Sequence, residues 1–420
     1  MKRNRQTNSS NWYSTIRYCL FFIILAGATA CHKEDIPEPE PEPVKEARSL
    51  FFYMIADNNL NDDIRMNLVD IYNGMKQYDE KATVLIYWDG GDNDPYWNTP
   101  VILRMTTEGD GWVNGLKKPE ATDDEVYNAM DVVATLPQQV STDPEVLTAM
   151  LQQMKGFTKA DNYGLIISSH GSGWLNTITP RGKSIGMDEL QSNTLQIPDL
   201  RDALAASGIH FDFLLFDACL MGCAEVCYDL REVIDYCIAS PTDVPAPGFP
   251  YEEMLSHLIG DVNGYKEACR IFIDKYKASD DTSIHLGTIS LIDCREMGQL
   301  AAEVNRCLTA NPEKAQSIPV WDIQQYAGKS SSFKYLSSDI RQYIEALNDG
   351  VVPVSFDAQL DKTVLFKDYV PDSYWFPING EHYCGLGMFL PYGSLKPRWV
   401  NYFYTLDWSS AAGWESLREM

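Results

Sequence analysis

Short apolar runs alternate with amphipathic stretches along the chain from residue 49 onward. Most of these runs are about as long as a strand and end in polar residues or glycine. The stretches between them place apolar residues at helical spacing, as at Ile64, Leu68 and Ile71, and Asp143-Pro144 has the composition of a helix start. The alternation predicts an α/β fold with a mainly parallel sheet covered by helices. The predicted strands are 50–56, 83–87, 164–169, 211–216, 236–240, 284–292 and 385–391.

The first thirty residues have the pattern of an export signal. A basic beginning precedes the apolar stretch 19–30 (CLFFIILAGATA), which is short for a bilayer span and typical of a signal peptide. The segment ends in Ala28-Thr29-Ala30-Cys31, which resembles the lipobox of bacterial lipoproteins. We predict a signal peptide over 1–30 and lipidation of Cys31. An ordinary signal peptide cleaved near Ala30 is the alternative.

A tether is predicted between Cys31 and the fold. Residues 32–46 alternate Pro and Glu, a composition that favours extended polyproline II and could hold a domain on the order of 45 Å from a lipid surface. The acidic residues just after Cys31 resemble the export signal of some surface lipoproteins, or they simply begin a charged linker. The expected location is the bacterial cell envelope, lipid-anchored in the outer membrane, with exposure at the cell surface as a further expectation.

Composition excludes several classes of protein. The 420 residues carry 59 acidic and 34 basic side chains, a net charge of −25, which repels nucleic acids and anionic membranes. We therefore expect contact with a membrane only through the lipid anchor.

The length allows two or three domains. We predict one folded unit over 49–420 with an elaboration around 311–374, for which a separate binding domain is the alternative.

Two predicted strands are followed by reactive side chains. His170 and Gly171 come after the run 164–169, and Cys219 comes after the run 211–216. If the two strands are parallel neighbours, a thiol and an imidazole share one edge of the sheet, as a cysteine nucleophile requires. A helix beginning just beyond Cys219 would favour the thiolate, and the N–H groups of Gly171 and Cys219 could form an oxyanion site. Taken singly, a histidine or cysteine at such a position more often has a structural role than a catalytic one.

The segments around these residues resemble those of a known family. Residues 164–174 (GLIISSHGSGW) and 213–226 (FLLFDACLMGCAEV) are similar to the histidine and cysteine blocks of the clostripain-like cysteine peptidases, which are related to caspases, legumains and gingipains. The resemblance continues through 51–60, 239–251, 384–391 and 402–415 in family order. It implies a caspase-like α/β/α sandwich, with His170 and Cys219 as the catalytic dyad and Gly171 lining the oxyanion hole.

The implied activity is that of an endopeptidase. Cys219 would form a thioester with peptide or protein substrates, and His170 would act as general acid and base. In members that cut after Arg or Lys, an acid two residues before the nucleophile lies in the substrate pocket; that position is Asp217 here, with Asp243 as a second candidate. The segment 241–247 departs from the pattern of such members, and Asp217 could instead be a helix N-terminal acid.

The resemblance leaves regulation and activity as expectations. Self-cleavage is expected between the histidine and cysteine blocks, with Arg181 and Lys183 as candidate positions. No metal is expected in the chemistry. Because the family includes calcium-dependent members, the resemblance leaves calcium open as a structural or activating ion. The alternative function is that of an inactive surface lipoprotein that uses the peptidase fold to bind a peptide or partner.

Overall fold

The apolar runs of the sequence form the strands of the computed structural model. The structure describes residues 48–78, 82–106, 122–175, 185–186, 194–327, 334–373, 377–393 and 396–418. Within these ranges the strands are β1 (Ser49–Ile55), β2 (Thr83–Asp89), β3 (Val101–Thr106), β4 (Asp131–Thr135), β5 (Tyr163–Ser168), β6 (Phe211–Asp217), β7 (Ile234–Ala239), β8 (Thr288–Asp293), β9 (Ser338–Asp339), β10 (Val364–Tyr369) and β11 (Gly387–Met388).

Parallel strands occupy the middle of the main sheet. In the described part of the chain this sheet has nine strands in the order β10-β8-β7-β6-β5-β1-β2-β3-β4. The strands from β7 to β2 in this order are mutually parallel. Antiparallel pairs flank them, β8 and β10 at one edge and β3 and β4 at the other. The predicted sheet with a parallel centre is therefore confirmed, whereas β3 and β4 were missed.

Helices connect the strands and cover the sheet. The predicted helix start at Asp143-Pro144 is confirmed, because the Asp143 side chain accepts a hydrogen bond from the N–H of Glu145 at 2.8 Å. The helices are α1 (Asn61–Lys76), α2 (Asp123–Ala129), α3 (Pro144–Lys155), α4 (Ile197–Ser207), α5 (Ala224–Leu230), α6 (Tyr251–Ile259), α7 (Val262–Lys277), α8 (Met297–Ala310), α9 (Pro312–Ser317), α10 (Ile340–Leu347), α11 (Val354–Thr363), α12 (Pro397–Phe403), α13 (Asp407–Ala411) and α14 (Trp414–Arg418), with 3₁₀ turns at Cys294–Glu296, Val320–Asp322 and Pro391–Gly393.

The sheet separates two apolar cores. Along β1, Phe51, Tyr53 and Ile55 enter one core, and Phe52 and Met54 enter the other, as alternation along a strand requires. The first core also contains side chains of α3, α4, α5 and α8, and the second contains those of α1, α6 and α7. Because both faces are covered, every residue of β1 and β2 is buried, which explains why these strands are almost continuously apolar.

The last predicted strand is wrong. Within 385–391 the only strand is β11, and it pairs antiparallel with β9 in a separate two-stranded sheet. The edge of the main sheet is formed instead by β10, which comes from the region around 311–374. The sequence of β10 (VLFKDY) carries charged residues and is only partly buried, which suits an edge strand and hid it from a search for apolar runs.

The predicted export signal lies outside the described residues. Residues 1–47, including Cys31, are not among the described ranges, so the signal peptide, the lipidation and the linker stay predictions. Where the description begins, Arg48 binds the carboxylate of Asp212 at 2.6 Å and the carbonyl oxygen of Ile259 at 2.8 Å. None of the helices in the described ranges has both the length and the apolar character needed to cross a membrane.

Two buried carboxyl groups lie on α5. Glu225 and Asp229 are at most 1% exposed. Burial, with Asp407 nearby, raises the pKa of Asp229 from its usual 3.8 to about 7, and burial likewise raises the pKa of Glu225 to about 7. Both groups are therefore protonated in the folded protein at mildly acidic pH, and their ionisation opposes folding.

We expect the folded protein to lose stability as the pH rises from about 4 to about 7. In this window Asp229 is ionised in the unfolded chain and protonated in the folded one. Each such group therefore lowers the free energy of unfolding by at most about 1.4 kcal/mol per pH unit, and the decrease is complete above pH 7. Asp229→Asn should flatten the dependence of the urea midpoint on pH, whereas the exposed Asp280→Asn should not. Parallel pH profiles for wild type and Asp229→Asn would contradict this account.

Candidate active site

The pairing of β5 with β6 brings the two predicted catalytic residues together. Ser168 is opposite Asp217 in the parallel ladder, and the N–H of Ser169 donates to the carbonyl oxygen of Asp217 at 3.3 Å. His170 and Cys219 therefore leave the sheet from adjacent strand ends at the same edge. Both are half-buried, and both line one cavity of about 510 Å³. The structure thus places the two side chains where the sequence predicted.

Gly171 lies directly against the backbone of Cys219. A β-carbon at residue 171 would lie 2.5 Å from the carbonyl oxygen and 3.1 Å from the nitrogen of Cys219. Real β-carbons essentially never lie as close as 2.5 Å to another atom, so any residue but glycine would force the backbone here to shift. The close approach puts the backbone of both predicted oxyanion residues at the same point of the site.

The turn that carries Cys219 differs from the predicted one. The sequence suggested a helix just beyond the thiol, but α5 begins only at Ala224, so no helix N-terminus lies at Cys219. Instead Leu220 has a φ of 66°, a left-handed conformation that costs a leucine about 1–2 kcal/mol. The N–H of Leu220 donates to the carbonyl oxygen of Thr242 at 2.9 Å, and that of Gly222 donates to Ser240 at 2.9 Å. These bonds hold the strained turn against the loop after β7.

The loop after β7 also contacts the thiol. The N–H of Val244 donates to Sγ of Cys219 at 3.4 Å. Burial raises the pKa of Asp243 to about 6, and a hydrogen bond from the thiol of Cys219 partly opposes this shift. Asp243, predicted as a substrate-binding residue, does line the cavity, but it lies beside the nucleophile.

His170 has a partner that the sequence did not reveal. Its Nε2 is 2.9 Å from Oδ1 of Asn59, a residue in the turn that follows β1. The preceding Asn58 holds this turn, since its amide donates to the carbonyl oxygen of Ile55 at 2.8 Å and its Oδ1 accepts from the N–H of Leu60 at 2.9 Å. The only available signal was the polar end of a strand that proved to be the neighbour of β5.

Asp217 lies on the inner wall of the cavity and is 8% exposed. Burial raises the pKa of Asp217 to about 6, which hydrogen bonds from Tyr251 and from the N–H of Phe249 partly oppose. The Tyr251 hydroxyl donates to Oδ2 at 3.0 Å. Asp217 ends a strand and does not begin a helix, so the alternative of a helix N-terminal acid is not what the geometry shows.

The remaining predicted residues and ions cannot be placed in the site. Arg181 and Lys183 lie outside the described residues. Among the residues that the structure describes, no group of three or more His, Cys, Asp or Glu side chains is arranged to hold a metal ion. Calcium dependence stays a prediction from the resemblance.

Comparison with known proteins identifies the family of this chain. A family model described as the clostripain family matches residues 52–419. The chain belongs to the clostripain family. The family predicted from the histidine and cysteine blocks is therefore confirmed, and the match includes all of the residues placed in the cavity.

Solved members of the family share the fold. An inactive zymogen C11 protease from Parabacteroides distasonis is 26% identical, with a TM-score of 0.70 over 88% of this chain and 99% of that chain. A secreted C11 cysteine protease from Bacteroides thetaiotaomicron, solved with an irreversible peptide inhibitor, is 25% identical, with a TM-score of 0.69 over 88% of this chain and 99% of that chain. The predicted caspase-like α/β/α fold is thereby confirmed.

A curated relative gives a shorter match. Clostripain of Hathewaya histolytica is 25% identical over 224 residues, which are 50% of this chain and 42% of that protein. The chain thus spans less than half the length of this relative.

Gly171→Ala is expected to destabilise the protein by about 1–3 kcal/mol, because its methyl group would overlap the backbone of Cys219. Gly298→Ala in α8 is the matched control. A β-carbon at residue 298 meets nothing within 4 Å, so this change should be neutral or stabilise by about 0.4–1 kcal/mol. Equilibrium unfolding in urea measures both effects. Equal unfolding free energies for the two variants would show that the contact at Gly171 does not constrain the site.

Proposed function

We propose that this protein is a cysteine endopeptidase that cuts after Lys or Arg. The observation that carries the proposal is the convergence of His170, Cys219 and the buried carboxyl group of Asp217 on one cavity. A thiol beside an imidazole supplies nucleophilic catalysis, and a carboxylate in the adjoining cavity supplies a partner for a cationic side chain. The cysteine protease relatives named above support the same chemistry.

The reaction proceeds by acyl transfer. Sγ of Cys219 attacks the carbonyl carbon of the scissile bond and forms a thioester, while the imidazolium of His170 gives a proton to the leaving amine. The N–H groups of Gly171 and Cys219 stabilise the negative oxygen of the tetrahedral intermediate. His170 then takes a proton from water, whose oxygen attacks the thioester, and the released thiol closes the cycle.

Asn59 positions His170 for these transfers. Because Oδ1 of Asn59 is an acceptor, it favours the imidazole form that carries its proton on Nε2. In that form the lone pair lies on the other ring nitrogen, Nδ1, which exchanges a proton with the thiol and the leaving group. Asn59 also stabilises the imidazolium without adding a negative charge to the site.

Asp217 accounts for the preference between substrates. With a pKa of about 6, its carboxyl group is ionised at neutral pH and can pair with a lysine or arginine side chain in a largely desolvated pocket. Asp243 hydrogen-bonds the thiol, so its charge acts on the nucleophile more directly than on the end of a bound side chain.

Cellular location forms a separate part of the proposal. The apolar leader and the Ala28-Thr29-Ala30-Cys31 sequence support export and lipidation at Cys31, and the Pro/Glu-rich linker supports display of the peptidase at a distance from the membrane.

Self-cleavage after Arg181 or Lys183 is proposed as the activation step, in keeping with the zymogen form of one relative.

A peptide-library digest tests the proposed activity. Wild type should cut after Lys or Arg at pH 7.5, and Cys219→Ala should not cut at all. Lowering the pH through 6 protonates Asp217, so the preference for basic residues should weaken at pH 5. Asp217→Asn should lose the preference at both pH values. A wild-type protein that binds peptides without cutting them would instead support the inactive binding module.

Asn59→Ala should reduce kcat by at least about 10-fold with little change in KM, as a part of the 10²- to 10⁴-fold that a positioned acid or base contributes. Its alkaline pH–rate limb should move to lower pH, because the imidazolium loses an acceptor. Asn59→Asp should move the same limb to higher pH. Asn128→Ala, which removes another exposed asparagine with one hydrogen bond, is the control. An unchanged limb in Asn59→Ala would mean that Asn59 does not position His170.

A further inference from the structure

A buried asparagine faces the same cavity as Asp217. Asn67 lies on α1 and is only 2% exposed, yet it is one of the residues that line the cavity. The hydrogen bonds of the described residues include none to its side-chain amide, and this amide is not among the polar atoms that are both unpaired and sealed from solvent. Buried amides are almost always hydrogen-bonded, because an unpaired one loses its hydration without compensation. The amide of Asn67 is therefore open to the cavity, where a bound side chain can hydrogen-bond it.

The amide of Asn67 lies next to the carboxylate of Asp217. A β-carbon on Gly248 would be 2.8 Å from Oδ2 of Asp217 and 3.1 Å from Nδ2 of Asn67. Both polar groups therefore lie on the side of Gly248 where a side chain would begin. The φ of Gly248 is 69°. Gly248 is required here both for its conformation and for the space that the two side chains occupy.

A lysine or arginine side chain in this pocket can donate more hydrogen bonds than Asp217 can accept. An ammonium group carries three N–H donors and a guanidinium group five. Asp217 already accepts hydrogen bonds from Tyr251 and from the N–H of Phe249, which leaves it few free lone pairs. A further acceptor is needed if the buried cation is not to keep unpaired donors. The side-chain amide of Asn67 lines the same cavity, and its oxygen can serve as that acceptor.

We propose that Asn67 is a specificity residue of this pocket, whose amide oxygen accepts a hydrogen bond from the cationic side chain preceding the scissile bond. The proposal rests on the proposed endopeptidase function and deepens it. Asp217 provides the charge, and Asn67 provides a directional neutral acceptor beside it. The two residues together select a basic side chain over an apolar one of the same length.

The test compares two fluorogenic peptides that differ only in lysine or norleucine before the scissile bond. In Asn67→Leu, the ratio of kcat/KM for lysine over norleucine should fall about 10- to 100-fold, the loss expected for one hydrogen bond to a charged group. Stability should be unchanged or higher, because leucine replaces an unpartnered amide. Asn73→Leu, on the same helix but outside the cavity, should leave the ratio unchanged.

Each outcome bears on a different claim. If wild type shows no preference for lysine over norleucine, the proposed basic specificity fails and the role of Asn67 fails with it. If wild type prefers lysine and Asn67→Leu keeps the ratio, the role of Asn67 alone is overturned. Should Asn67→Leu not fold, Asn67→Asp carries the test at pH 8: it keeps the shape and an acceptor, so a ratio at least equal to that of wild type supports the role, and a tenfold fall contradicts it.

Discussion

The parallel pairing of β5 with β6 is the constraint on which the site depends. Because Ser168 is opposite Asp217, the chain leaves both strands at the same level, and the next residues of each strand meet above the sheet. The contact of Gly171 with the backbone of Cys219 is possible only at this register. A shift by one residue would turn every side chain of β6 to the other face of the sheet, and with it Asp217.

Burial at this edge has two opposite effects on the site. It raises the pKa of Asp217 and Asp243, which would weaken any charge-based recognition if the groups became neutral at the working pH. The hydrogen bonds from Tyr251 and Phe249 limit the shift of Asp217, so its carboxylate remains available above pH 6. A dry pocket also strengthens pairing with a cation. The strained Leu220 adds to the cost of the site, which the bonds to the loop after β7 offset.

The sequence predicted those parts of the structure that strong local patterns specify. The buried parallel strands have continuous apolar runs, and His170, Gly171, Asp217 and Cys219 directly follow or end two of them, so their common edge could be predicted. The charged edge strand β10 and the late start of α5 could not, because pairing at an edge and a turn held by distant carbonyl groups leave no periodic signal.

Residues contributed by other segments were also missed. Asn59 reaches His170 from the end of β1, and Asn67 reaches the cavity from α1. Each lies more than a hundred residues from the side chain that it accompanies, and an isolated asparagine in a turn or helix has many structural roles. Only the strand order, with β5 beside β1, brings them to the site.

Covalent labelling with a lysyl peptide acyloxymethyl ketone tests the central claim most directly. The intact mass of the labelled protein and a peptide map would show where the ketone carbon is attached. The account predicts a single adduct on Cys219, formed much more slowly in His170→Ala and by the norleucine analogue, and absent in Cys219→Ala. Absence of an adduct in wild type, or equal labelling in wild type and His170→Ala, would contradict it.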